Sequence, residues 1–223
     1  MPDDPEPPRR LTEALDGIWK GVVLADNRFH PDKSCFQLAE EYRRTGRTPL
    51  GCANKFVAWQ AAKAAMAGFA LGLPGIAAMP ITVPVDFASV AYLQLRMVAV
   101  IGLLFGWEPE SDQLRSIAYM SLLGSAGAEA AHDAGVIASV KFAGVLLNRV
   151  PGKALTKVNQ FVGFRLLTKA GTKGVLNFTK IVPIIGGVAG GGINYATTRK
   201  IGLTAIQWLQ DGPTGTAIAA DEA

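Results

Sequence analysis

The chain has 223 residues, of which 49% are hydrophobic and 18% charged, and its formal net charge is +4. That length suits one domain, and a mean hydropathy of +0.24 leaves room for a membrane relationship without demanding one. Two cysteines, Cys35 and Cys52, exclude a disulfide framework or a zinc site and read as reduced structural thiols.

Residues 1–10, MPDDPEPPRR, are acidic and proline-rich and lack an apolar signal segment, so they read as a disordered arm on a cytoplasmic protein. Leu11, Leu15, Ile18, Trp19 and Val22 recur at helical spacing and predict an amphipathic helix over 11–24. After a turn at 27–31, Asp32 is expected to cap a short polar helix reaching about Arg44. The segment 45–51 reads as a loop marked by Gly46, Pro49 and Gly51, and Asn54 as the cap of the next helix.

That next helix leads into the most apolar stretch of the chain. Ala64 to Val85 holds no charge and is as long as a bilayer-spanning helix requires. Pro74, Pro80 and Pro84 break it, because each removes a backbone donor and clashes with the preceding turn. The prediction is helix to about Leu73, a corner through Pro84, and helix again from about Val85 to Gly106. Gly68 and Gly72 stand four apart, a spacing that lets two helix backbones approach closely. Ser111 or Asp112 begins a further helix to about Leu123.

Further on, 128–150 and 153–169 read as helices, with Leu155, Val158, Val162 and Leu166 within about 80° on a helical wheel. Gly186 to Gly192 opens a last long helix through Trp208, and the tail from Asp211 reads as disordered. The Gly186/Gly190 spacing suits helix packing. It does not fit a dinucleotide loop, since no G-x-G-x-x-G register, flanking strand or following acid is present. With no alternating strand pattern, the expected fold is an all-α multi-helix bundle in one domain over 11–210.

Charge is unevenly divided. Residues 1–133 carry 12 basic and 15 acidic side chains, net −3, whereas 134–223 carry 10 and 3, net +7. No Asp or Glu occurs between Asp133 and Asp211. Lys141, Arg149, Lys153, Lys157, Lys169, Lys173 and Lys180 in that interval are candidates for contact with anionic lipid, and the interval also holds Arg165, Arg199 and Lys200. Nucleic acid is not the expected partner, because no recognisable module or interleaved aromatics accompany these cations.

Catalytic constellations are not found. Glu129 and His132 form one E-x-x-H pair where a di-metal bundle needs two, and neither a nucleophile elbow nor a P-loop is present. No catalytic residue, metal or cofactor is assigned. Lys63, Asp86, Arg96, Arg165 and Asn194 are instead polar groups in apolar surroundings, expected to be buried and to need partners. Asp86 and Arg96 lie ten residues apart, about 15 Å along one helix, so they cannot pair directly; Arg165 is the best candidate partner for Asp86, and the equal alternative is that Asp86 only caps its helix and Arg165 snorkels to water.

Two blocks resemble the EcsC family of bacterial proteins. The first runs Phe56-Val-Ala-Trp59-Gln60-Ala-Ala-Lys63, Gly68-Phe69, Gly72-Leu73-Pro74-Gly75, Pro80-Ile-Thr-Val-Pro84-Val-Asp86 and Leu95-Arg96-Met97. The second runs from Val162 to Gly171 and from Lys180 through Pro183, Gly186 and Gly187 to Asn194, Thr197, Ile201 and Gly202. The resemblance covers roughly 50–210 and brings no catalytic residues with it. The expected role is non-enzymatic: a peripheral accessory or scaffold on the inner face of a membrane, beside a membrane-protein partner. The alternatives are an enzyme or carrier with an apolar, lipid-like ligand between the two blocks, and an integral protein with 64–85 or 181–198 as re-entrant segments.

Overall fold

The computed structural model describes residues 6–24, 33–72, 83–123, 132, 155–156, 159–160, 162 and 186–213. Six helices are delimited among them: α1 (Glu6–Leu24), α2 (Cys35–Arg43), α3 (Pro49–Gly72), α4 (Val83–Leu104), α5 (Asp112–Leu122) and α6 (Gly186–Leu209). Among the described residues there is no strand, and the fold is all-α.

α4 is the hub. Its run from Met97 through Leu104 is buried on every side, as expected of a helix that is apolar all round. Each of the other five helices packs against it. α1 contributes Leu15, Trp19 and Val22, the stripe that the sequence predicts. Trp19 meets Tyr119 of α5 edge-on, with ring centroids 6.4 Å apart. Leu155 and Val162 are buried in the same core, in keeping with the stripe expected over 153–169.

Several helix starts differ from the sequence reading. α1 begins at Glu6, inside the arm expected to be disordered, because Pro7 and Pro8 are tolerated in a first turn whose N–H groups have no intrahelical partner. α2 is capped by Ser34 and not by Asp32. Ser34 Oγ accepts from Gln37 N at 3.2 Å, and Gln37 Oε1 accepts from Ser34 N at 2.9 Å, a reciprocal capping box. α3 begins at Pro49, within the expected loop. Thr48 Oγ1 accepts from Gly51 N at 3.2 Å and so caps the helix, while Pro49 takes the position where proline costs least. Asn54 is therefore interior, and its side chain donates to the Leu50 carbonyl at 3.0 Å. α4 starts at Val83 with Pro84 in its first turn, and Ser111 caps α5 as expected.

Two close approaches fix the packing. A Cβ on Gly102 of α4 would fall 2.7 Å from Leu114 of α5, and one on Gly202 of α6 would fall 2.6 Å from both Val57 methyls of α3. Neither glycine belongs to the pairs that the sequence singles out. Gly68, Gly72, Gly186 and Gly190 lie in the last turns of α3 and the first turns of α6.

Among the described helices, α3 and α6 form the most extensive pair. They run antiparallel, as a chain of contacts shows. Tyr42, at the end of α2, stacks edge-on to Phe56 near the start of α3, centroids 5.1 Å apart. Its neighbour Arg43 donates to the Leu103 carbonyl at the end of α4. The turn that follows closes with Gly106 at φ +83°, and Trp107 N and Gly106 N donate to the carbonyls of Gly102 and Leu103. Trp107 Nε1 then donates to the Leu209 carbonyl at 3.0 Å, an oxygen at the end of α6 that also accepts from Gly212 N at 3.0 Å. The C-terminus of α6 and the N-terminus of α3 thus share one end of the molecule. Gly186 and Gly72 share the other.

Candidate functional surface

The site with the most chemical content is the outward side of the α3–α6 pair. Neither helix contains an acidic residue, while α3 carries Lys55 and Lys63 and α6 carries Arg199 and Lys200. On α6, Ala196, Arg199, Lys200, Leu203 and Gln207 are outward-facing and fall within about 100° at 3.6 residues per turn. A groove of about 420 Å³ follows this face, lined by Tyr195, Ala196, Arg199, Lys200, Leu203, Thr204 and Gln207. The opposite side of α6 is buried through Ile201, Gly202, Ala205, Ile206 and Leu209, which explains why the cations point away from the core.

On α3 the exposed stripe is Trp59, Lys63 and Met66, within about 60° on the same wheel. Trp59 is 53% and Met66 70% exposed. Lys63 Nζ stands 5.4 Å from the centroid of the Trp59 ring, a cation–π contact at the surface. Among the described residues, six of the eight exposed large apolar or aromatic side chains lie on these two helices: Leu50, Trp59, Met66, Ile193, Tyr195 and Leu203. A concentration of this kind marks an interaction surface more than scattered exposed residues do.

The polar residues expected to be buried divide differently. Arg96 has the partner it needs. Its guanidinium reaches from α4 to the Lys33 carbonyl, just before α2, and lies beside the buried Cys35. Burial pushes the Cys35 thiol up to about 11, and Arg96 only partly opposes this. Lys63 and Asn194 are exposed, contrary to expectation. Their neighbours in sequence are uncharged because small Ala and Gly residues line the helix, not because the whole circumference is covered. Asp86 lies in the first turn of α4. Its side chain and Arg165 fall outside the described residues, as do Lys141, Arg149, Lys153, Lys157, Lys169, Lys173 and Lys180.

A second polar cluster joins α1 to α5. Tyr119 is buried, and its hydroxyl donates to Asp16 Oδ1 at 2.6 Å. Burial, and secondarily the Asp16 carboxylate, push the phenol well above its ordinary value. Arg115 stands 3.9 Å from the same carboxylate and 2.5 Å from Asp112. The cluster ties two helices together through the Tyr119–Asp16 hydrogen bond, while Arg115 Nε is buried and makes no hydrogen bond among the described residues.

Sequence reasoning missed Trp59, Tyr195 and Leu203 as surface residues. A signal exists for the last two, since Tyr195, Arg199 and Leu203 recur every four residues and lie on or beside one outward face of a helix. No family model, no curated protein and no solved structure matches the chain.

Proposed function

We propose that the protein is a non-enzymatic accessory that associates peripherally with an anionic membrane through its basic C-terminal half. The observation that carries this reading is the outward face of α6, where Arg199 and Lys200 flank the exposed Leu203 along an open groove. Cations interleaved with apolar side chains suit a headgroup layer, where the charges meet phosphate and the apolar groups meet acyl chain. The absence of Asp and Glu between Asp133 and Asp211 supports it, because no acidic group opposes approach to a negative surface. Among the described residues no helix is long and apolar enough to cross a membrane, which agrees with attachment to one face. The EcsC-like character of residues 50–210, a bacterial inner-membrane setting and a neighbouring membrane protein as partner belong to the same proposal.

The test is flotation of the purified protein with vesicles of phosphatidylcholine alone or with phosphatidylglycerol. The protein is expected to float with the anionic vesicles. Each cation near such a surface contributes about 1 kcal/mol, so Arg199→Gln with Lys200→Gln should weaken binding by roughly 30-fold. Failure to float with either vesicle removes the proposal.

A further inference from the structure

We infer that the segment following α6, residues 214–223, docks along the outward groove of α6 and competes there with an anionic surface. The competition rests on the membrane reading above and adds a means of regulation to it, whereas the docking itself needs no membrane.

Groove and segment match in charge. α6 contains no acidic residue, and Arg199 and Lys200 are exposed and make no ion pair among the described residues. Residues 134–223 hold three acids, and all three, Asp211, Asp221 and Glu222, come after α6. The segment reads Thr214-Gly-Thr-Ala-Ile-Ala-Ala-Asp221-Glu222-Ala and carries no cation. It lies outside the described residues, while Pro213 just before it lies within them.

The order of groups matches as well. From the C-terminal end of α6 backward, the groove presents Gln207 and Thr204, then Leu203, then Lys200 and Arg199. Read forward, the segment presents Thr214 and Thr216, then Ile218 among alanines, then Asp221 and Glu222. A chain that turns back along α6 therefore brings hydroxyls to polar side chains, Ile218 to Leu203, and carboxylates to cations.

Length permits this. Gly212 takes φ +70° and its N–H donates to the Leu209 carbonyl at 3.0 Å, which ends the helix in a conformation that turns the chain. Arg199 stands about 20 Å back along α6 from Gly212. Extended chain from Pro213 to Asp221 spans about 26 Å, so about two residues are left for the reversal. With that offset Ile218 falls about 10 to 16 Å from Gly212, and Leu203 stands about 14 Å from it. The same residues as a helix would span only about 12 Å and leave the cations out of reach. The occupant is this segment because it is already attached: a short tether holds it at an effective concentration on the order of millimolar, where individually weak surface ion pairs are enough to populate a contact.

A disulfide tests the docking in the full chain. Leu203→Cys with Ile218→Cys is compared with Leu93→Cys and Ile218→Cys, since Leu93 is 58% exposed on α4 and lies outside the groove. Cys35 and Cys52 are buried and stay out of the exchange. In oxidised glutathione the first pair is expected to close within one chain roughly ten-fold faster than the second, by its higher effective concentration. Asp221→Lys with Glu222→Lys should remove most of that advantage. The closed Leu203→Cys, Ile218→Cys protein should then bind phosphatidylglycerol-containing vesicles roughly 5- to 30-fold more weakly than after reduction by dithiothreitol, the span set by shielding one cation or both. Oxidised and reduced forms carry the same charge, so the difference belongs to the groove. Equal closure rates overturn the docking. A disulfide that joins two chains, at a rate that rises with protein concentration, assigns the groove to a second copy and also overturns it. A closed protein that floats as well as the reduced one overturns the competition. Flotation in neither form removes the membrane reading, and the closure rates still decide the docking.

Discussion

At the scale of single residues, buried groups that ionise only at high pH set the alkaline limit of the fold. Tyr119 and Cys35 both have their folded-state values raised, chiefly because burial disfavours their anions. A raised value means that the folded chain holds the proton more tightly than the unfolded chain. The stabilisation is therefore complete below the unfolded values of 9.0 for the thiol and 10.0 for the phenol, and is lost as pH rises above them. Urea midpoints measured from pH 7 to 11 should hold steady to about pH 9 and then fall. Cys35→Ala should flatten the first part of that fall and Tyr119→Phe the later part. At pH 7, Tyr119→Phe removes the donor to Asp16, and a loss of about 1 kcal/mol is expected because the carboxylate is partly exposed. A Tyr119→Phe protein as stable as the parent at pH 7 would show that water replaces the hydroxyl at no cost.

Glycines decide the packing at the scale of the elements, and two of them predict opposite signs. Gly202→Ala places a methyl 2.6 Å from Val57, so overpacking is expected to cost about 1 to 3 kcal/mol in spite of the helix preference for alanine. Adding Val57→Ala should recover part of the loss, a coupling that thermal or urea denaturation of the double mutant detects. Gly17 of α1 has nothing within 4 Å of its added methyl, so Gly17→Ala should stabilise by about 0.5 to 1 kcal/mol. The helices themselves were largely legible from spacing. The Leu15, Trp19 and Val22 stripe and the Ser111 cap are local patterns, and local patterns survive folding. The starts of α2 and α3 were less legible because Ser34 and Asp32 are both good caps, and Pro49 punctuates a loop as readily as it opens a helix. Gly202 was hidden for a different reason. Its partner Val57 lies 145 positions away, and nothing near either residue records the contact.

For the whole molecule, Arg199 and Lys200 are the cations of the acid-free interval that lie among the described residues, and both are exposed on α6. The sequence indicated that a basic, acid-free region exists, but not which cations lie outward. Arg96 illustrates the limit. Its partner is the Lys33 carbonyl, and a backbone acceptor has no signature in the chain. Lys63 illustrates the converse, since sparse charge suggested burial and the side chain is at the surface over Trp59. With α4 enclosed by the other helices, the α3–α6 pair is left to present cations, aromatics and exposed apolar groups together. The account stands or falls on whether this surface recognises an anionic bilayer. Flotation at two salt concentrations tests that most directly, because screening shortens the reach of surface charge from about 10 Å at 0.1 M to about 3 Å at 1 M. The account predicts binding to phosphatidylglycerol-containing vesicles at low salt, weaker binding at high salt, and little binding to phosphatidylcholine alone. Equal behaviour toward both vesicles, or no binding to either, would contradict it.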